Sequence, residues 1–393
     1  MYSLLLALIY LAFISLGLPD ALLGSAWPHM YSLLKVPVSY AGVLSMIIAG
    51  GTIISSLNTS RAVGRFGTGL VTAVSVLLTA VALFGFSTAG AFWVLCLWAV
   101  PYGFGAGAVD AALNNFVALH YTSKYMSWLH CFWGVGVSIG PYIMSYSLTM
   151  RNSWERGYAT VGLLQIALTV ILFLSLPLWK KQAQLRREGT AGTHRHLKIR
   201  ESLRIKGVKQ VLVAFFSYCG LESTTGLWAS SYLVLQRGIA VEEAARWASL
   251  FYMGITLGRF LNGFVTDRLG NRNMIRIGLA VIAVGLFAVL LPVPAGFLPL
   301  AGLVLIGLGC APVYPCIIHE TPRNFGAENS QAIIGLQMAG AYVGSTFMPP
   351  VFGLLVNYVT IALYPVYLCF FLVLMFVMTE KLNRIVAGRE KRL

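Results

Sequence analysis

Charge is scarce in this sequence, and long polar stretches are scarcer still. Of its 393 residues only 10% are charged and 58% are hydrophobic, whereas ordinary soluble domains carry about 25% charged residues. The longest plainly polar stretch runs from about residue 180 to residue 210. The composition therefore excludes a large soluble domain and predicts an integral protein of the lipid bilayer.

Several kinds of chemical site are also missing. The six cysteines stand singly in apolar runs, with no paired spacing and no neighbouring His cluster, so we expect neither a disulfide framework nor a metal site. No G-x4-G-K-[ST] run occurs, and the glycine-rich runs follow no predicted strand, which argues against a nucleotide site. No Ser/His/Asp arrangement is apparent. We therefore expect no enzyme and no cofactor, and we expect any transport to draw on an ion or solute gradient.

Apolar runs of 18 or more residues recur along the chain, and each can cross a hydrocarbon core of about 30 Å. We count twelve such helices. With the N-terminus inside, 23 of the 28 Lys and Arg lie on the cytoplasmic side or at its edge, as the positive-inside rule requires. The net charge of +15 thus reflects the membrane topology and an attraction to anionic lipid, and no nucleic acid partner is expected. The prediction is a multi-pass protein of the cell membrane with both termini in the cytoplasm; the cations left outside are Lys35, Arg151, Arg156, Arg237 and Arg246.

The predicted helices contain two breaks and one basic loop. We expect the start of the chain to be the first spanning helix and not a removed signal peptide, because it lacks a basic start and a convincing cleavage site. Pro19 should bend or loosen this helix. A loop carrying Arg61 and Arg65 should follow helix 2, and the run APVYP at 311–315 should break helix 10. The expected bounds are about 2–33, 39–58, 68–87, the stretch around 101–117, 124–149, 157–180, 207–236, 242–266, 272–291, 294–320, 325–357 and 360–386.

The two halves of the chain repeat each other. The segments 17–67 and 220–270 share glycine and arginine anchors at an offset of 203 residues, and Gly136/Gly140 match Gly340/Gly344 at an offset of 204. GFGAGAVD at 103–110 is set against GLGCAP at 307–312 at an offset of 202, which places Asp110 opposite Pro312. The repeat predicts an all-α membrane protein with twelve transmembrane helices in two pseudo-symmetric six-helix bundles. The expected parts are an N-terminal bundle over 1–180, a basic cytoplasmic linker over 181–206, and a C-terminal bundle with a short tail over 207–393.

One motif is specific. GRFLNGFVTDRLGNR at 258–272 resembles the signature G-R-x3-G-x3-D-R-x-G-x-R of the major facilitator superfamily, between predicted helices 8 and 9. Its Asp267 can pair with Arg268, Arg272 or a neighbouring helix dipole, forming a latch that must open during conformational change. The first-half copy SRAVGRFGTG at 60–69 has lost the acid. We assign a gating role to Arg61, Arg65, Arg259, Asp267, Arg268 and Arg272.

Two acids lie inside predicted spans of the first half. Asp20 follows Pro19 in helix 1, and Asp110 lies in the glycine-rich run 101–117, with Asn114 one helical turn further on. A carboxylate at the bilayer centre costs about 2.5–3.5 kcal/mol on insertion scales, so such residues face a protein interior or a wet cavity. Desolvation disfavours the charged form, which lets a carboxyl group load and release a proton at physiological pH. We predict proton coupling through Asp20 and Asp110; the alternative is that both only fix helix packing.

Polar and aromatic side chains of the spans form a candidate solute site. Aromatic faces can pack on sugar C–H groups, while amides and carboxyl groups bind hydroxyls. Each candidate has a structural alternative, because membrane aromatics usually pack or anchor and a lone His is usually a satisfied interior residue. Glu222 can bind a hydroxyl, titrate or serve packing. The candidates are Trp27, Asn114, Asn115, His130, Trp133, Glu222, Trp228, Tyr252, Asn262 and Gln337, with Gln165 and Tyr314 in addition.

Within the superfamily the chain resembles the fucose:proton symporters and related sugar carriers over nearly its whole length. In that branch a helix-1 Asp and a helix-4 carboxylate carry proton coupling, followed by an Asn one turn later, and Asp20, Asp110 and Asn114 match these positions. His130, Trp133 and the glycines up to Pro141 match its helix-5 pattern. The helix-4 acid of the fucose carrier is Glu, so the Asp here leaves proton or sodium open. The resemblance implies a monomer that moves a small solute, a sugar, by alternating access with proton symport.

A proton-coupled antiporter that exports drugs or metabolites is the alternative function. The run Gly136-x3-Gly140-Pro141 resembles an antiporter signature, although the paired glycines that should follow are absent. Drug antiporters also usually carry an Arg early in helix 4, where this chain reads WAVPYGFGAG. Uniport of another small solute also stays open.

Overall fold

The computed structural model describes residues 2–37, 39–179, 197–291 and 297–390, so the predicted linker lies largely outside the described residues. The secondary structure within these ranges is helical, with one short 3-10 helix at Ile361–Leu363. The α-helices are α1 Tyr2–Asp20, α2 Leu22–Leu33, α3 Tyr40–Phe66, α4 Thr68–Ser87, α5 Phe92–His120, α6 Ser123–Arg151, α7 Trp154–Leu174, α8 Ile199–Ser202, α9 Val208–Arg237, α10 Val241–Leu269, α11 Asn271–Leu290, α12 Phe297–Phe325, α13 Ala327–Tyr358 and α14 Tyr364–Glu390.

The expected twelve spans are present in the described part of the chain. Nine segments are long and apolar enough to cross a membrane, with α1 and α2 forming one span. The other three are α6, α9 and α10, which have 29, 30 and 29 residues but are more polar. These three helices carry His130, Glu222 and Arg259, so their lower hydropathy comes partly from candidate functional groups.

The first span is interrupted where the sequence predicted. Helix α1 ends at Asp20, directly after Pro19, and α2 begins at Leu22. Proline has no N–H to donate to the preceding turn, so the helical ladder is weakest there. The interruption places the Asp20 carboxyl group at a helix end instead of on a continuous helical face.

The predicted loop after helix 2 is wrong. Helix α3 continues to Phe66, so Arg61 and Arg65 are helical, and Gly67 alone separates α3 from α4. Gly270 separates α10 from α11 in the same way. The φ angles of Gly67 and Gly270 are +80° and +79°, which favours glycine at both repeat-related positions. Each N–H donates at 2.8 Å to the carbonyl oxygen four residues earlier and ends the helix.

The predicted break of helix 10 is also wrong. Helix α12 runs without interruption from Phe297 to Phe325 and contains Pro312, Pro315 and Pro322. Prolines are tolerated in membrane helices where neighbouring groups satisfy the freed carbonyl oxygens.

Glycines set the closest contacts of α5. A Cβ atom on Gly103 or Gly107 would overlap the carbonyl oxygens of Ile48 and Thr52 on α3. On its other side, a Cβ on Gly105 would lie 2.5 Å from the carbonyl oxygen of Ser75 on α4. Helix α5 is therefore held between α3 and α4 at backbone distance, as small residues allow in membrane bundles.

The same contacts correct the register of the repeat. Gly307 of α12 meets the Phe251 carbonyl oxygen as Gly103 meets that of Ile48. The two glycines are 204 residues apart and the two carbonyl groups 203. Structurally equivalent positions of α5 and α12 thus differ by 204 residues, not 202. Asp110 therefore corresponds to Tyr314, and the expected pairing with Pro312 is wrong.

The chain forms two compact units. One consists of Met1–Phe116, Leu129–Leu197 and Ala327–Ala339; its core includes Leu22, Trp27 and Phe92. The other consists of Val117–Trp128, Lys198–Gly326 and Gly340–Leu393, in which α11 packs extensively on α12 and α9 on α14. The boundaries 1–180, 181–206 and 207–393 stay a prediction.

The close approach of α5 to α3 predicts that Gly103→Ala lowers the thermal unfolding midpoint of the protein. Its methyl group would overlap the Ile48 carbonyl oxygen, and overpacking of this kind costs about 1–3 kcal/mol. Gly50→Ala is the matched control, because a Cβ at Gly50 has no neighbouring atom within 4 Å. Equal midpoints for the two variants in detergent would contradict the close packing.

Candidate functional site

Asp20 is held by two aromatic side chains. Trp133 Nε1 on α6 donates to its Oδ2 at 2.9 Å, and the Tyr102 hydroxyl on α5 donates to its Oδ1 at 3.3 Å. Tyr102 is buried, whereas Asp20 is exposed. The carboxyl group is thus fixed by two neutral donors and still accessible. The sequence predicted both Asp20 and Trp133 as site residues but not their contact.

Asp110 lies in a second, deeper group. Asn114 Nδ2 donates to Asp110 Oδ1 at 2.7 Å and to the Asp110 carbonyl oxygen at 3.1 Å, which confirms that the two residues share a helical face. Asn114 Oδ1 is 3.0 Å from His130 Nε2, whose ring meets Phe13 edge-on at 5.5 Å. Asp110, Asn114 and His130 are all buried, at 6%, 0% and 5% exposure. One amide therefore connects the acid of α5 to the imidazole of α6.

Two acid groups at different depths result from this arrangement. Tyr102 and Asp110 are separated by eight residues of α5, which is about 12 Å along a helix. The exposed Asp20 group and the buried Asp110 group therefore occupy different levels of one unit. Both are built from helices of the first half of the chain, as the positions of the acids predicted.

The first residues of α13 contact the same part of α5. Ser330 Oγ donates to Asn115 Oδ1 at 2.6 Å, and Gln331 Nε2 donates to the Ala111 carbonyl oxygen at 3.2 Å. Met338 Sδ lies 4.0 Å from Asn114 Nδ2, and Gln337 beside it is fully buried. Asn115 thus serves a contact between helices; its predicted solute contact, and that of Gln337, stay predictions.

Two other candidates have packing roles. Trp27 is 5% exposed in an apolar cluster, where its ring meets Phe92 at 6.3 Å. Gln165 Oε1 accepts from Thr79 Oγ1 at 2.6 Å, and its Nε2 donates to the Ser15 carbonyl oxygen at 2.8 Å. Gln165 ties α4 and α1 to α7, which favours the structural alternative for this residue. Trp27 stays a predicted solute contact, although it lies among core side chains.

The second half contains a buried ion pair whose contact was not predicted from the sequence. Arg259 Nη2 is 3.6 Å from Glu222 Oε1 and donates to the Tyr218 hydroxyl at 3.5 Å. The guanidinium group also faces the ring of Tyr314 at 5.9 Å. The Arg259 side chain is 4% exposed and that of Glu222 18%. Arg259, expected to gate at the helix end, is thus a buried cation of the bundle interior.

The remaining candidates of this half lie on α9 and α10, the helices that carry Glu222 and Arg259. Trp228 Nε1 donates to the Pro349 carbonyl oxygen at 3.0 Å, and its ring packs edge-on against Phe352. Tyr252 packs its hydroxyl against Gly226, and Asn262 is half-buried one turn after Arg259. Their solute contacts stay predictions.

The latch acid Asp267 contacts the start of a helix. Thr122 Oγ1 donates to its Oδ2 at 2.8 Å, and the backbone N–H of Lys124 donates to its Oδ1 at 3.1 Å. Helix α6 begins at Ser123, so the carboxylate accepts from the positive end of the α6 dipole. Of the partners that the sequence allowed, the structure shows the helix end.

A polar group extends this contact to α12. Arg272 pairs with Glu320 at 3.5 Å, and Asn271 Nδ2 donates to Glu320 at 2.8 Å. His319 bridges Asn271 Nδ2 and the carbonyl oxygen of Tyr121, at 3.0 and 2.8 Å. Arg268 is exposed. Sequence inspection missed Thr122, Asn271, His319 and Glu320, and the one available signal was that Glu320 is the only acid of α12.

The first-half copy of the motif has no matching contact in the described structure. Arg61 and Arg65 are exposed on the last turns of α3, and Arg65 lies 5.3 Å from the ring of Phe66. Their gating role stays a prediction, which the missing acid weakens.

Loss of the latch acid should free the start of α6. We expect Asp267→Ala to raise hydrogen–deuterium exchange in a peptide covering residues 121–128, because a side-chain acceptor at a helix start contributes about 0.5–2 kcal/mol. Arg268→Gln is the control, since it changes a neighbouring exposed charge in the same motif. Equal exchange in the two variants would show that Asp267 does not hold this helix end.

Comparison with known proteins agrees with this fold. A family model described as the Major Facilitator Superfamily matches residues 9–317 and 210–391. The glucose/mannose transporter GlcP of Bacillus subtilis (strain 168) is 26% identical over 251 residues, or 63% of this chain and 61% of that protein. The chain spans 56% to 61% of the length of the first curated relatives that it matches.

Two solved structures show the same architecture. The proton:xylose symporter XylE, bound to 6-bromo-6-deoxy-D-glucose, superposes with a TM-score of 0.76 at 14% identity, covering 95% of this chain and 94% of XylE. A variant of the fucose:proton symporter FucP of E. coli has a TM-score of 0.73 at 16% identity, covering 96% of this chain and 97% of FucP. The family model matches most of the described chain, and the chain belongs to the Major Facilitator Superfamily.

Proposed function

We propose that this transporter is a proton symporter for a small polar solute, a sugar, in the cell membrane. The observation that carries the proposal is the buried group of Asp110, Asn114 and His130 inside spanning helices. Membrane-buried acids are costly and mark ion pathways. The two termini lie in the cytoplasm, and the protein works by alternating access.

Protonation of Asp110 would change the whole group. An ionised carboxylate only accepts hydrogen bonds, and Asn114 Nδ2 supplies one. A protonated carboxyl group gains an O–H to donate, and Asn114 Oδ1, an acceptor beside it, already faces His130. Rotation of the amide would offer that oxygen to Asp110 and turn Nδ2 toward the imidazole, which must then accept. Proton occupancy of Asp110 is thereby linked to the tautomer of His130.

Asp20 is suited to bind the solute that is transported with the proton. Its carboxyl group is exposed, so water can exchange protons with it, and it lies against Trp133 and Tyr102. An indole face packs well on sugar C–H groups, and the carboxylate and phenol bind hydroxyls. A sugar bound there would compete for the donors that hold Asp20.

The relatives support a sugar as the solute. GlcP is named as a glucose/mannose transporter, and XylE and FucP as proton symporters of xylose and fucose.

Internal pH in proteoliposomes tests the proposal. Hexoses, deoxyhexoses, disaccharides and polyols are added outside vesicles that contain the purified protein and a trapped pH dye. We expect one class to acidify the interior in the wild type and not in Asp110→Asn. The proposal fails if no sugar moves protons, with or without sodium. If lipophilic cations dissipate an imposed pH gradient instead, the protein is the proton-coupled antiporter.

A further inference from the structure

A groove outside the candidate site lies between α6 and α7. It has a volume of about 680 Å³. Its sides are exposed rings and an aliphatic chain, with Tyr142, Tyr146 and Leu163 at 77%, 60% and 61% exposure. The small side chains of Ser147 and Ala159 line its floor. The groove is therefore an apolar furrow on the surface of two membrane helices.

Two arginines close one end of the furrow. Arg151 is the last residue of α6, and Arg156 lies in the first turn of α7. Both are exposed, and in the described part of the chain neither guanidinium group pairs with a carboxylate. The nearby acid Glu155 accepts from Ser153 Oγ at 2.6 Å instead. This end of the furrow thus has two available positive charges.

The placement of these arginines is unusual for the predicted topology. The turn between α6 and α7 falls on the outer side, where only five of the 28 Lys and Arg are expected. Arg237, another of the five, donates to the Val289 carbonyl oxygen and the Tyr232 hydroxyl inside the protein. Basic residues outside oppose the positive-inside rule. Among the described residues, Arg151 and Arg156 show no internal side-chain contact of that kind, which points to a ligand outside the chain.

We propose that this furrow binds an anionic phospholipid, with the phosphate at Arg151 and Arg156 and an acyl chain along Tyr142, Tyr146 and Leu163. Tyr142 and Arg151 are nine positions apart on α6, which is a rise of about 13.5 Å. That length is close to one leaflet of a hydrocarbon core about 30 Å thick. Charge at the helix ends and an apolar furrow below them match the two parts of a phospholipid. This site is independent of the transported solute.

Native mass spectrometry of the full-length protein in detergent tests the proposal. Phosphatidylglycerol is titrated against the wild type, Arg151→Gln, Arg156→Gln and the double variant, with phosphatidylcholine as the uncharged-headgroup comparison. Each arginine near an anionic headgroup should strengthen binding about fivefold. We expect about fivefold weaker phosphatidylglycerol binding for each single variant and about 25-fold for both, with little change for phosphatidylcholine.

Two further variants separate a built site from diffuse attraction. Lys35→Gln removes an exposed cation from the same predicted side but outside the furrow, so it should keep wild-type binding. Ala159→Trp fills the floor of the furrow and keeps every charge, so it should weaken the binding of both phosphatidylglycerol and phosphatidylcholine. The proposal is overturned if the double variant binds phosphatidylglycerol as Lys35→Gln does, if Ala159→Trp has no effect, or if soluble glycerol phosphate displaces the lipid. Unchanged thermal midpoints show that the variants are folded.

Discussion

Asp110→Asn is expected to abolish uphill accumulation of the solute and to preserve exchange of labelled for unlabelled solute. The amide cannot take up a proton, but its Oδ1 can still accept from Asn114 Nδ2, so the buried hydrogen bond of 2.7 Å has a substitute. One proton moving through about 100 mV supplies about 2.3 kcal/mol, enough for about 50-fold accumulation. We expect that ratio in wild-type vesicles and a ratio near unity in the variant.

The measurement uses labelled solute in proteoliposomes with an imposed proton gradient, and then counterflow without a gradient. Asp110→Glu is the matched control, because it keeps a titratable group and should retain part of the accumulation. His130→Gln keeps a polar partner for Asn114 but no tautomers, so it should slow coupled uptake more than counterflow. Loss of counterflow in Asp110→Asn would reassign Asp110 from coupling to solute binding or folding.

The largest effect on stability is expected where the buried ion pair of the second half is broken. Glu222→Gln leaves the Arg259 guanidinium, 4% exposed, without its carboxylate. Removing one partner of a buried pair costs about 3–5 kcal/mol, whereas replacing both charges is often nearly neutral. We expect Glu222→Gln and Arg259→Gln each to lower the unfolding midpoint strongly. The double variant should lower it by less than the sum of the two single effects.

The chain contains a matched surface pair for this experiment. Arg276 Nε and Nη2 donate to the Glu380 carboxylate at 2.8 and 2.9 Å, and the Arg276 side chain is 51% exposed. Exposed pairs contribute at most about 1 kcal/mol, so Glu380→Gln should shift the midpoint only slightly despite the better geometry. If Glu222→Gln and Glu380→Gln were equally stable, the Arg259 charge would not be buried in solution.

Helix number and termination differ in how far sequence predicts them. In the described part of the chain nine spans follow from hydropathy, a property of each segment alone, and the other three are helices of similar length that are more polar. The sequence placed the helix ends before Gly67 and Gly270 several residues too early, and it predicted a loop where α3 continues. A charged residue such as Arg61 does not by itself end a helix, because the helix can extend beyond the hydrocarbon core. The glycines at positive φ decide those ends. The repeat was visible, but only backbone contacts of Gly103 and Gly307 set its register.

The acids of the site were predictable because charge inside an apolar run is rare, so Asp20, Asp110 and Glu222 stand out in sequence. Asn114 was also predictable, since helical geometry alone puts it beside Asp110.

Sequence by itself thus determined the membrane class, the twelve helices, the two repeated halves and the identity of the interior charges. Only the tertiary structure decided which groups meet: Asp20 with Tyr102 and Trp133, His130 with Asn114, and Arg259 with Glu222. The physical reason is that a membrane helix is apolar on nearly all sides, so hydropathy does not say which face turns toward which neighbour. That choice is made by close packing of small residues and by interior hydrogen bonds between distant parts of the chain.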